Sequence, residues 1–308
     1  MKQRILFTAL ALLTLLIVLF IHPMKNSSVI HTPTIQGLYV FGDSLSDTGT
    51  VFRATGGTYP PNPPYFQGRY SNGRVWVEYL ADRLHLSPNQ ANSFAWGGAT
   101  TGNVPTQSGQ PADVNSFVPN VLMQVQSLVQ TNTPANPDAL YVLWAGANDY
   151  LQGMANTNAP VENLTKAIAS LAKIGAKKIL VANLPDLGQL PVTRTTAIST
   201  QLSRLSQSHN QGLRRSLKLL NQQYPDLQLA VLDAYSLYRA AIDQPAKFGY
   251  SNVVAACLVS THPCGNPDQF LFWDGLHPTT ATHRHLADAA LAAIQQTGII
   301  SSKQAVLP

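Results

Sequence analysis

The chain has 308 residues, of which 45% are hydrophobic and 11% charged, with a formal net charge of +5. That is enough chain and enough apolar material for one large globular domain. The basic residues are scattered, the densest groups being Lys177-Lys178 and Arg214-Arg215, and this excludes the basic stripe that nucleic-acid binding requires.

Taken in chain order, the N-terminus comes first. Lys2 and Arg4 precede an uncharged apolar run, residues 5–21. A basic flank before an apolar stretch is the pattern of a secretory leader, and the length approaches that of a membrane-spanning helix. No Ala-x-Ala cleavage site or lipid-accepting cysteine follows. A cleaved leader and a membrane tether through residues 5–21 both place the rest of the protein outside the cytoplasm. The expected organisation is a leader or anchor over 1–25, a linker over 26–36 and a single domain over 37–308.

Within that domain, short apolar runs alternate with amphipathic segments. Strands are predicted over 38–41, 93–96, 140–144, 178–182 and 227–232. Helices are predicted over 75–84, 118–129, 161–174, 197–220 and 278–296, the last opened by Pro278 and ended by Gly298. Alternation of this kind predicts a parallel sheet covered on both faces. Ligands of such sheets sit beyond the carboxyl ends of the strands. Three predicted strands run there into small polar motifs, "GDSLSD", "GGATTG" and "GANDY".

Those motifs offer the parts of a nucleophilic site. A serine needs a base, and the base needs an orienting group. Ser44 follows the first strand, although the G-x-S-x-G elbow of the common α/β-hydrolases is absent; alone, Ser44 reads equally as a helix cap. In "FWDGLHP", Asp274 lies three residues before His277, spaced to hold an imidazole or to form a plain ion pair at a helix start. His283 and His285, two apart on a helix, read as surface residues, and His209 has no acid patterned beside it. An oxyanion needs preset donors. The N–H groups of Ser44 and Gly98, with Gly97 close behind, and the Asn148 amide are candidates, set against a tight turn and an Asx-turn. Cys257 and Cys264, seven apart, predict a local disulfide; zinc is a weak rival, because His262 adds only a third ligand. The Pro- and Tyr-rich stretch 56–70 reads as a wall of an acyl or alcohol pocket or as a stiff surface loop, and Trp96 as a further wall or as core.

Together, "FGDSLSDTG", "NSFAWGGA", "GAND" and "DGLHP" resemble the four sequence blocks of the GDSL esterases and lipases, the SGNH hydrolases. "PPYFQGRYSNGRVWVEYLA" and "NLPDLGQLP" resemble the long-chain branch, with its phospholipase/lecithinase/hemolysin-type and plant-type members. The resemblance implies a flavodoxin-like three-layer α/β/α sandwich with a mostly parallel five-stranded sheet. It implies Ser44 as nucleophile, His277 as base, Asp274 as its orienting acid, and Ser44, Gly98 and Asn148 as the oxyanion hole. It implies no metal and no organic cofactor, and a small-molecule or lipid ester as substrate. A carbohydrate acetyl esterase using the same triad is the alternative. An extracytoplasmic binding module that keeps only the fold is a third reading, against which the presence of all three triad residues counts.

Overall fold

Five short segments form one parallel sheet in the computed structural model, which describes residues 34–103 and 118–301. The strands are β1 (Gly37–Gly42), β2 (Ala91–Ser93), β3 (Ala139–Trp144), β4 (Lys178–Ala182) and β5 (Gln228–Leu232). Their spatial order is β2-β1-β3-β4-β5, and every neighbouring pair is parallel. This is the flavodoxin-like order, which reverses direction between β1 and β3. The described residues belong to one compact unit. The apolar run 5–21, read from sequence as leader or tether, lies outside them. Among the described residues, no helix is long and apolar enough to cross a membrane.

The helices are α1 (Thr50–Ala54), α2 (Trp76–Arg83), α3 (Val121–Val129), α4 (Ala147–Leu151), α5 (Asn158–Lys173), α6 (Ser199–Gln223), α7 (Ala234–Asp243) and α8 (Thr280–Gln296). Because side chains alternate along a strand, each strand feeds two cores. Val40, Val142, Leu180 and Leu232 pack with α2, α7 and α8. Phe41, Leu143, Ile179 and Val181 pack with α3, α5 and most of α6. The central strands β3 and β4 are buried on both faces, which is why they read as near-continuous apolar runs.

Some boundaries differ from the sequence expectation. The second strand lies at Ala91–Ser93 rather than 93–96, because the chain peels away from β1 towards its glycine turn. Two further bonds, Phe94 N–H to Val40 C=O and Trp96 N–H to Gly42 C=O, follow it outward. Helix α3 starts at Val121 because the Asn120 side chain accepts the Met123 N–H and caps it. Pro278 stands before α8 rather than in its first turn, and Thr279 is the cap. Two short pairings escaped the sequence. Strand β6 (Asn252–Ala256) pairs parallel with β9 (Phe270–Phe272), and β7 (Leu258–Val259) with β8 (His262–Pro263) makes a small hairpin.

His283 corrects a second expectation. It is buried, not at the surface, and its Nδ1 accepts the Trp76 N–H at 3.1 Å, bolting α8 to α2. His209 is likewise buried within α6 and shares a 2.8 Å hydrogen bond with the Tyr150 hydroxyl.

Candidate active site

Strand β1 ends at Gly42, where the Gln124 side chain takes over the backbone: its Oε1 accepts the Gly42 N–H at 2.8 Å and its Nε2 donates to the Gly42 C=O at 2.9 Å. Released from the sheet, the chain turns through Asp43-Ser44-Leu45, closed by the Ser46 N–H to Asp43 C=O bond and by Asp43 Oδ1 accepting the Leu45 N–H. The turn leaves the Ser44 N–H without an internal partner among the described residues and brings the Ser44 side chain to a cleft.

Across the cleft, β9 leads into the 274–277 turn. The Asp274 carboxylate folds back on its own turn, accepting N–H groups from Leu276 at 2.8 Å and His277 at 2.7 Å. It also meets the imidazole: His277 Nδ1 lies 2.8 Å from Asp274 Oδ2 and 3.0 Å from Oδ1. A carboxylate only accepts, so Nδ1 carries the proton and Nε2 is left as an acceptor. His277 Nε2 stands 2.9 Å from Ser44 Oγ. Ser44, His277 and Asp274, 233 positions apart at the extremes, therefore form one hydrogen-bonded line. Burial alone would raise the Asp274 pKa, but the His277 charge and the hydrogen bonds from His277 and Leu276 outweigh it and hold the group down at about 2.

The proposed oxyanion donors gather beside Ser44. Asp47 gathers the N–H groups of Gly49, Thr50 and Val51 and, from the next loop, of Gly97 at 2.9 Å. Gly97 is thus committed to Asp47, and a Cβ there would lie 2.2 Å from the Tyr70 hydroxyl. Gly98 is exposed, has φ +82° and makes no bond through its N–H to any described residue, so of the two glycines it is the one able to face a ligand. Asn148 lies on α4 just past β3, where its Nδ2 donates to the Ala99 C=O at 2.9 Å. That leaves the second amide hydrogen for the cleft, which Asn148 lines with Ser44 and His277. Asp149 ties the same two loops together by accepting the Thr101 N–H at 3.0 Å and its hydroxyl at 2.6 Å.

Of the two roles open to the stretch 56–70, that of a pocket wall is not met at this cleft, whose lining holds none of its residues; the stretch supports the site from behind. The Tyr65 hydroxyl donates to Asp274 Oδ2 at 2.8 Å, and the Tyr70 ring stands 5.2 Å from that of His277. Trp96 does not line the cleft either. Cys257 and Cys264 are joined in a disulfide, so they offer no thiolates to a metal. Tyr65, Asp47 and Asp149 are the site residues that sequence reading missed. The one sequence signal for the two acids is their place inside "GDSLSD" and "GAND".

A model of the GDSL-like lipase/acylhydrolase family matches residues 38–290, a span that holds every residue of this constellation. The chain belongs to that family. It is accordingly an ester-bond hydrolase with the SGNH hydrolase fold. A phosphatidylcholine-sterol acyltransferase of Aeromonas hydrophila is 31% identical, over 85% of this chain and 91% of its own length. A thermolabile hemolysin of Vibrio parahaemolyticus is 27% identical over 87% of this chain, which spans 66% of the hemolysin's length. The plant GDSL esterase/lipase APG of Arabidopsis thaliana is 26% identical, over 83% of this chain and 90% of its own. This GDSL chain therefore resembles bacterial and plant members of the family along most of its length.

Proposed function

We propose that the protein hydrolyses lipid carboxylic esters through a Ser44-His277-Asp274 triad. In this mechanism Ser44 Oγ attacks the ester carbonyl carbon as its proton passes to His277 Nε2. The carbonyl oxygen becomes an anion received by the Ser44 and Gly98 N–H groups and the Asn148 amide. Collapse breaks the C–O bond, and the leaving alkoxide takes the proton from His277. Water then attacks the acyl-serine by the same route, with His277 again the base, and frees the acid and Ser44. Asp274 stays ionised throughout, fixing the tautomer and balancing the imidazolium.

The observation that carries the reading is that the hydrogen-bonded line opens on a shallow cleft of about 30 Å³ walled by leucines. Leu45, Leu151, Leu187, Leu190 and Leu276 line it, with few polar groups besides the site's own. An apolar wall suits an acyl chain and offers a sugar almost nothing to hydrogen-bond. The names of the bacterial relatives, an acyltransferase of phosphatidylcholine and a hemolysin, point the same way. The disulfide supports placing the protein outside the cytoplasm.

The test is ester release by the full chain from p-nitrophenyl esters running from acetyl to palmitoyl. Release should rise with acyl length. Ser44→Ala should cut turnover by several orders of magnitude, and Asn148→Ala by roughly 10²-fold. Serine-dependent release confined to the acetyl ester would overturn the lipid reading and favour a carbohydrate acetyl esterase. Release that survives Ser44→Ala would overturn the triad.

A further inference from the structure

Beside the apolar cleft lies a larger cavity of different character, about 240 Å³, between the turn at Asp186–Gln189 and helix α7. Tyr238 lines both spaces and so forms a shared wall. It is 4% exposed, yet its hydroxyl hydrogen-bonds to no described residue. Phe272, its ring 6.1 Å from that of Tyr238, closes the same side.

The polar lining carries both signs of charge. Arg239 and Asp243 project from successive turns of α7, and Asp186 comes from the opposing turn. Four residues apart on one helix, Arg239 and Asp243 could pair, but neither forms an ion pair or a side-chain hydrogen bond among the described residues. Asp243 is also the last residue of α7. The negative end of the helix dipole disfavours an acid there and leaves it wanting a cation. Asp186 spends Oδ1 on the Gly188 N–H and the Ser203 hydroxyl, which keeps Oδ2 for the cavity. An unpaired guanidinium, the unpaired Asp243 carboxylate, the second oxygen of Asp186 and two phenol rings, Tyr235 and Tyr238, thus stand around one space. A guanidinium suits a phosphodiester, and carboxylates with aromatic faces suit a substituted ammonium.

We propose that this cavity receives the zwitterionic head group of a phospholipid, with Arg239 on the phosphodiester and Asp243 and Asp186 on the ammonium, while the scissile acyl ester lies across Tyr238 in the cleft. The proposal rests on the lipid-ester reading above and names its substrate class. The acyl cleft and the head-group cavity then divide the substrate by polarity, and the shared tyrosine marks the boundary between the two.

Monomeric short-chain lipids test this without an interface. The full chain is assayed on dihexanoylphosphatidylcholine, dihexanoylphosphatidylglycerol, dihexanoylglycerol and p-nitrophenyl butyrate, with circular dichroism to show that each variant folds. The wild type should favour the choline lipid over dihexanoylglycerol. Arg239→Gln should lower kcat/KM on the choline lipid, relative to p-nitrophenyl butyrate, by about tenfold or more. Asp243→Asn should shrink the choline-to-glycerol head-group preference by several-fold. Both ratios within twofold of wild type would overturn the proposal, and so would a preference for dihexanoylglycerol, or Ser44-dependent release from p-nitrophenyl butyrate alone. No Ser44-dependent release from any ester is a different failure, that of the hydrolase reading beneath it.

Discussion

At the scale of single residues, the proposed triad is only as good as the hold on its acid. Asp274 takes three N–H donors from its own turn and one donor from far away, the Tyr65 hydroxyl. That phenol is kept protonated, since burial first and the Asp274 charge second push its pKa above its ordinary value. It fixes the carboxylate's second oxygen. Tyr65→Phe removes that bond and loosens the carboxylate that aligns His277, so kcat should fall roughly tenfold with KM for p-nitrophenyl esters little changed. A kcat within twofold of wild type would reduce Tyr65 to packing. Sequence singled out Ser44, Asp274 and His277, which the structure brings into one hydrogen-bonded line, because they stand in short motifs with a local pattern of residue types. It could not show Tyr65, whose bond to Asp274 spans 209 positions and whose neighbours suggest only a proline-stiffened loop.

Elements were legible to the extent that their stabilisation is local. Strands β1, β3 and β4 announce themselves as buried runs, and α5, α6 and α8 by helical periodicity. Strand β2 was misplaced because it has three residues and pairs only at the sheet edge, and β6 to β9 went unpredicted because strands of two to five residues carry no period. Yet these short pieces hold the turn that carries His277. In the hairpin, the Leu258 N–H donates to the Trp273 C=O at 2.6 Å, and the Trp273 N–H donates in turn to the His277 C=O at 2.7 Å. The disulfide closes that hairpin at Cys257 and Cys264. Closing so short a loop is worth about 2–3 kcal/mol by the chain-entropy relation. The double variant Cys257→Ser, Cys264→Ser should therefore melt several degrees lower. It should also lose turnover at temperatures where it is still folded, as the turn bearing Asp274 and His277 loosens. Thermal unfolding and assay of the same samples check both. Lost stability with intact turnover would show that the hairpin staples the fold without aiming the base.

On the scale of the whole molecule, the protein carries an unusual set of ionisable groups inside. Burial, the largest cause in each case, raises Asp43 to about 7 and Asp149 to about 6, and lowers His209 to about 4 and His283 to about 3. The two sets act in opposite senses. Between the ordinary histidine value of about 6.5 and their folded values, the unfolded chain binds protons that buried His209 and His283 refuse. Their contribution is complete above about pH 6.5 and is lost as the pH falls. The acids work the other way. The folded state keeps protons that an unfolded aspartic acid releases near pH 4, so stability is lost as the pH rises through 6 and 7. From about pH 4 to 6.5 the effects oppose each other; above that only the acids still change, and Asp43 titrates last. Asp43→Asn isolates its share, because an amide copies the protonated acid and its oxygen can still accept the Leu45 N–H. The variant should melt close to wild type near pH 4, gain on it steadily as the pH rises, and hold a constant advantage well above pH 7. A gain equal at pH 4 and pH 8 would mean that the mutation acts through packing. A loss at pH 8 would mean that the folded protein needs the Asp43 charge.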